Sequence, residues 1–402
     1  MLGEEAPIPI PALPVRPLLG WARHVIRMSA PNTPSKAIDP FFELVHDGEW
    51  NACVGIQGND VNYVDGYLEA ARELVAAVLD KQMVASRDTL AMPILYNCRH
   101  ALELALKFAV DRLHRTGVVG HTHVVNHDIL SHWQHLRDAE IGDARIVELV
   151  AELEPFVVSL AGIDEDGQEL RYSRNRDGAK SLADFAVVNL PLIRRSIEQL
   201  AKSLDQLKYR IFDLENERTT GTHTKECSRM DLEAIARALG GYATWHDANF
   251  VDRRRAVMDR FGLSSRKFSS AVNMIRKSRP LAALVGLDPK DLGLDYFDRD
   301  WGRFREHTRI ALELAVAIEG LLSIEEFSDL ETLFYIGRER VLGEHYQEML
   351  VGTVAKLRAA SSRRDGVHHI MSKRNLLDCV VDGAVAVGRP SLGSKIRDLR
   401  PS

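Results

Sequence analysis

Ile193, Ile197, Leu200, Leu204, Leu207, Ile211 and Leu214 recur at alternating steps of four and three residues. That spacing predicts a long helix with an apolar seam down one side, and the seam must be covered. Two covers are open. Other helices of the same chain use this seven-residue pattern in bundles. A second copy of the chain would instead make a homodimer.

The rest of the chain from residue 60 onward follows the same period. Asn59 or Asp60 caps a helix with Tyr63, Tyr67, Ala70, Ala71, Leu74 and Val78 as its stripe. A second helix spans Ser86 to His114, with Pro93 expected in its first turn. Thr116 to His127 is a glycine- and histidine-bearing loop. Asn126 or Asp128 then starts a short helix with Ile129, Leu130, Trp133 and Leu136 buried. Ala144 to Leu153 is helical up to Pro155, and residues 163–178 form a long polar loop of the kind that is often functional. Strand signals are confined to Cys53–Ile56 and Val380–Val387. The expected fold is all-α.

Organisation follows from composition. Residues 1–58 are a proline-stiffened arm and lead-in, and 59–216 form a helical bundle. Glu217 to Lys225 is polar and threonine-rich and reads as a linker. Residues 226–390 form a second helical domain, with an acidic turn region at Asp288 to Asp300 and strong helices from Arg303 to about Ala360. The tail at 391–402 is basic and expected to be loose. No stretch approaches the roughly 20 apolar residues of a membrane helix. The N-terminus lacks the basic start and unbroken apolar block of a secretory signal. Cys53, Cys98, Cys227 and Cys379 show no pairing frame. A cytoplasmic protein with reduced thiols and no membrane attachment is expected.

Three motifs occur in order: Arg99-His-Ala-Leu-Glu-Leu-Ala-Leu-Lys107, His127-Asp-Ile-Leu130 and Leu170-Arg-Tyr-Ser-Arg-Asn-Arg-Asp-Gly178, followed by the seam helix. Together they resemble the HEPN family over about residues 59–215. The resemblance implies a dimeric bundle of four to five helices that acts on or binds RNA or nucleotides. Such domains occur in toxins, abortive-infection systems and antiviral defence. Ser173 stands where many members have proline. Active members carry Arg-x4–6-His near the end of one bundle helix, and residues 140–200 contain no histidine. Arg115 and His121 have the spacing but lie in the loop.

Read as chemistry, Arg99, Arg171, Arg174 and Arg176 can form a phosphate-binding patch, because guanidinium groups fit phosphate oxygens bidentately. The opposing assignment pairs Arg99 with Glu103 and leaves the loop arginines solvated. His127 reads as a helix-entrance residue, or as the proton-transfer group of a set with Arg99 and Arg171. His121, His123, His127, His132 and His135 lack the thiolate, carboxylate or HExxH partners of a metal site, so neither metal nor cofactor is expected.

Arg340 and His345 form a second Arg-x4-His match, with Arg363/His368 and Arg364/His369 as further matches. On a helix this step offsets the side chains by roughly 140°. A bend at Gly343 would bring them together for metal-free cleavage, with His345 as acid or base. A surface pair between Glu344 and Arg340 is the alternative. Finally, Val251 to Pro280 holds nine basic residues, including Arg253, Arg254, Arg255, Arg266 and Lys267, against two acidic ones, in a chain of net charge −5. Its turn at 262–265 gives a helix-turn-helix-like layout with Ser269, Ser270 and Asn273 on the second helix. Walker, Rossmann and GxSxG fingerprints are absent.

The leading expectation is a HEPN-type RNA-directed effector, endoribonuclease-like and metal-independent. The alternatives are a non-catalytic nucleic-acid-binding or scaffold protein with a degenerate HEPN domain, and a transcription regulator acting through the basic segment.

Overall fold

A computed structural model describes residues 41, 49–54, 58–175, 177–183, 185, 187–287, 322–360, 364–371, 373 and 375–397. The chain is all-α. Among the described residues there is no strand, only one antiparallel backbone bridge between Arg174 and Lys180. Two compact units divide at residue 56. The first contributes Phe41 and residues 49–54, which are exposed. The proline arm at 1–40, the acidic region at 288–300 and the expected helix start at Arg303 lie outside the described residues.

The second unit opens with α1 (Asp60–Asp80), whose N-cap Asn59 accepts from the Asn62 amide. α2 (Arg87–Arg115) lies against it. Pro93 falls inside α2, not in its first turn, so one intrahelical bond is lost there. Asp128 caps α3 (Ile129–Asp138). His132 takes a buried place expected for Leu130, which is only half-buried. α4 (Ala144–Glu152) is followed at once by α5 (Glu154–Ile163), because Pro155 is tolerated in a first turn and starts the new helix.

The seam helix is α6 (Leu190–Thr219). Ile197, Leu200, Leu204, Leu207, Ile211 and Leu214 are all buried in one core with residues of α1 to α5. The seam is therefore covered from within the chain. A homodimer would have to use another face and draws no support from the seam.

Residues 217–225 are a packed junction. Thr222 and Thr224 are buried, and Glu217 accepts from the Met230 amide. Beyond them lie two separate apolar clusters. The first joins α7 (Arg229–Leu239), α8 (Phe250–Arg260), α9 (Ser265–Lys277) and α10 (Arg279–Leu284) around Leu232, Ile235, Val257, Phe268 and Ile275. The second joins α11 (Ile324–Glu339), α12 (Tyr346–Ala359), α13 (Arg364–Met371), α14 (Leu376–Ala386) and α15 (Pro390–Arg397).

Two expectations are corrected here. The Val380–Val387 strand candidate is helix α14 and the turn after it. A short buried apolar run reads the same in either state. Gly337 and Gly383 let α11 and α14 touch backbone to backbone, since a Cβ at either would collide with a carbonyl of the other helix. The basic tail is ordered as α15 through Arg397, because Leu392 and Ile396, four apart, are both buried.

Candidate functional site

Arg99 sits in the middle of α2 and is 1% exposed. Its Nε donates to the Asp164 carbonyl at 2.7 Å, and one terminal nitrogen donates to Glu103 at 2.8 Å. The other donates to the carbonyls of His127 at 2.6 Å and Glu165 at 2.9 Å. Asp164, itself buried, accepts from the amides of Glu169 and Leu170. Gly167, at φ +78°, brings the chain against the guanidinium where a Cβ would crowd it. Arg99 is thus a clamp that ties the 116–128 loop and the 164–172 loop to α2. Its donors are committed to protein, so it is not a phosphate ligand.

Glu103, one turn further along α2, accepts from Lys107 at 2.6 Å and faces His127 Nδ1 at 2.9 Å. Burial would raise its pKa. Hydrogen bonds from His100, Lys107 and His127, with the charge of Lys107, outweigh that and hold the carboxyl well below the usual range. A carboxylate on Nδ1 fixes the proton there and leaves Nε2 of the exposed His127 as the reactive nitrogen. His100 stacks on Tyr96 at 5.6 Å and meets the Tyr67 ring edge-on at 4.4 Å. Arg171 lies over Tyr96 and Tyr172, with Nε donating to the Gly167 carbonyl at 2.5 Å. Arg174 is exposed and bonds the Gly178 carbonyl, while Arg176 lies outside the described residues. The fold therefore brings Arg99, His127 and Arg171 into one neighbourhood, with Arg99 in a structural role.

The other histidines are held by their own loop. His123 faces Ser131, His132 the Asn126 carbonyl and His135 the His121 carbonyl. Among the described residues no group of three or more His, Cys, Asp or Glu is arranged to hold a metal ion.

The pair Arg340/His345 does not lie on one helix. Arg340 ends α11 at φ +53°, and His345 closes a short 3-10 turn. Glu344 pairs with Arg229 at 2.8 Å rather than with Arg340. His345 Nε2 instead meets Thr219 Oγ1 at 3.1 Å, which places it at the end of α6. The side chains of Arg364 and His368 are not described.

That end of α6 holds a pair the sequence reading passed over. Arg218, in the last turn, and His223 stand at the Arg-x4-His spacing. Both are half-buried, and among the described residues Arg218 Nε and His223 Nδ1 have no hydrogen-bond partner. Burial lowers the pKa of both, and the nearby charge of Arg218 lowers that of His223 further. Their neighbour Arg210 consumes the local carboxylates, bonding Asp143 at 2.7 Å and Glu217 at 2.6 Å. The spacing was visible in the sequence. The stretch from Glu217 to Lys225 is polar and threonine-rich, and nothing in its sequence marks it as packed against the bundle.

In the basic segment, α8, a turn and α9 follow as expected, with Ser264 capping α9. Arg253 bonds Thr244 and lies over Phe250, and Arg254 lies over Phe268, so both are partly spent on packing. Arg255 and Arg266 are exposed, as is Lys267, which stands 3.6 Å from Glu226. No protein-family model matches the chain, and neither a curated protein nor a solved structure similar to it was found.

Proposed function

We propose that the chain is an RNA-directed protein of the HEPN-like kind, with Arg218 and His223 as its cleavage pair. The observation that carries this reading is two half-buried groups at the Arg-x4-His spacing, at the end of the last bundle helix, each with an unpartnered nitrogen. A buried polar atom without a partner calls for an explanation, and a ligand is one. Metal-free cleavage uses the RNA's own 2′-hydroxyl as nucleophile. Neutral His223 takes its proton as O2′ attacks the adjacent phosphorus. Arg218 offsets the charge that builds on the phosphate oxygens. The bond from phosphorus to the 5′-oxygen breaks, and that oxygen takes a proton from water. The order Arg99, His127, Arg171 and then a long last helix supports the same reading.

The test is cleavage of single-stranded RNA in the presence of chelator. Arg218→Ala and His223→Ala should each lower the rate by at least about 100-fold, with melting temperature retained. Parent-like cutting by both variants, or no cutting by the parent, rejects the pair.

A second reading is nucleic-acid binding by α8 and α9 without catalysis. Arg266, Lys267, Ser269, Ser270, Asn273, Arg276 and Lys277 of α9 are exposed with no acidic residue among them. Substituting Arg255, Arg266 and Lys267 with Ala should weaken binding and flatten its salt dependence, since each phosphate contact releases counterions.

A further inference from the structure

The surface above the Arg99 clamp has features that packing alone does not use. Arg171 spans two tyrosine rings, with its guanidinium carbon 5.8 Å from the Tyr96 centroid and 5.3 Å from that of Tyr172. Only its Nε is bonded, and its terminal nitrogens have no partner among the described residues. Tyr172 is 54% exposed, a large ring left in water on a loop that is otherwise tied down. Tyr96 continues into His100 as a parallel stack, 9° between ring planes. His100 stands 3.9 Å from Glu103, whose other oxygen meets His127 and Lys107. Rings and a cation therefore run from Tyr172 through Arg171 and Tyr96 to His100, and Glu103 joins His100 to His127.

The local carboxylates do not cancel these cations. Glu103 is 2% exposed and is taken up by Arg99, Lys107 and His127. Asp164 is fully buried and bonded to two amides. Glu165 is exposed, with its carbonyl fixed by Arg99, while the half-buried Asp166 and Glu169 accept from the Gln168 and Leu182 amides. Flat rings beside unpaired guanidinium and imidazole nitrogens match a nucleobase joined to a phosphate. Single-stranded RNA is recognised in this way, by bases splayed onto aromatic faces and guanidinium planes.

We propose that Tyr96, His100, Arg171 and Tyr172, with Lys107 and His127 beside them, seat one unpaired base of single-stranded RNA and its phosphate. Tyr172 stacks on the base, and the terminal nitrogens of Arg171 bind the phosphate. The seat rests on RNA being the ligand, as proposed above, but not on cleavage. It lies on α2 and its loops, apart from Arg218 and His223 at the end of α6.

The experiment is anisotropy of a labelled, single-stranded 2′-O-methyl oligoribonucleotide, which lacks the nucleophile and cannot be cut. The full chain is used, and melting temperature is recorded for every variant. Tyr172→Ala should weaken binding about tenfold, while Tyr172→Phe, which keeps the ring, should bind as the parent does. Arg171→Ala should weaken binding and reduce its salt dependence. Parent-like affinity for both Tyr172→Ala and Arg171→Ala, with folding intact, overturns the seat. AMP distinguishes the two sources of this chemistry. Failure of AMP to displace the oligonucleotide at matched nucleotide concentration supports the RNA assignment. Efficient displacement by AMP overturns it in favour of a free mononucleotide. Because the probe is uncleavable, a chain that cuts nothing can still pass this test. A chain that cuts RNA normally as Tyr172→Ala, and binds the probe undiminished, fails this proposal alone.

Discussion

The middle of α2 and the end of α6 each carry a buried or half-buried arginine, and the two regions treat it in opposite ways. Arg99 donates to three backbone carbonyls and one carboxylate, and the partners that receive it are bonded in turn. Arg218 has an Nε without a hydrogen-bond partner among the described residues, although Asp143 and Glu217 are near enough to act on it through their charge. Those two carboxylates are held by Arg210. Residue type and burial are therefore poor guides to role. A cation whose donors are filled by protein is architecture, because every bond would have to be broken to offer it to a ligand. A cation left with a desolvated, unpaired nitrogen carries a cost that only a ligand or water recovers.

The largest expected effect breaks the filled side of this contrast. Arg99→Met removes the clamp and leaves Glu103 and Asp164 buried with one cation fewer. Breaking a buried pair by removing one partner costs about 3–5 kcal/mol. Urea unfolding of Arg99→Met should show a loss of that size, and proteolysis should first open the 116–128 and 164–172 segments. A loss under about 1 kcal/mol would show that the network is ornamental and that Arg99 is available for other work.

The next effect separates the two regions by pH. Glu103 in α2 is held down, so its contribution is present above the ordinary carboxylate range and is lost as pH falls. Asp231, which packs beside the α6 end, behaves the other way. Burial, and then the charge of Asp143, pushes it up to about 6, while amides of Ala144 and Ser228 partly offset this. A raised folded pKa gives stability that is full below the unfolded value and is lost as pH rises through about 6. Asp231→Asn keeps an oxygen for both amides and cannot ionise. Relative to that variant the parent should lose up to about 3 kcal/mol between pH 4 and 6 and then run parallel to it. Equal stabilities across that window would remove the claim that the α6 end is short of compensation.

Much of the architecture was legible in the chain, for reasons that differ by element. The seam from Ile193 to Leu214 gave α6 because a period near 3.5 has no other regular solution over that length. Its cover was not legible, since an intramolecular and an intermolecular partner demand the same residues. Asn59 and Asp128, each one of two candidates, do cap their helices, because a cap is a local bond between a side chain and an amide three residues on. Val380 to Val387 misled because an apolar run of only about two turns is too short to tell a helical period from a strand. Arg340 and His345 misled because spacing says nothing about the left-handed residue and short turn that part them. Arg99 could be assigned either to Glu103 or to phosphate from its spacing. Only the fold shows the three carbonyls, 28 to 66 residues away in sequence, that take its remaining donors.

The smallest effect sharpens the unfilled side. Arg218→Met deletes a charge that burial already disfavours and breaks no hydrogen bond found among the described residues. Stability should therefore hold or rise by up to about 1 kcal/mol, against the large loss for Arg99→Met. The same change should be read at His223. Its pKa is lowered by burial first and by Arg218 second. A lowered folded value means that stability is present above the unfolded pKa, near 6.5, and is lost as pH falls through the folded one. Removing Arg218 leaves burial in place but takes away the repulsion, so the His223 titration, followed by NMR, should move up toward 6.5 without reaching it. The direction follows from charge alone and does not depend on whether RNA is cut. If Arg218→Met costs as much as Arg99→Met, Arg218 has partners that matter and the contrast between the two regions is lost. If stability holds but the His223 titration does not move, the two side chains are too far apart to serve one phosphate, and the cleavage pair fails on geometry.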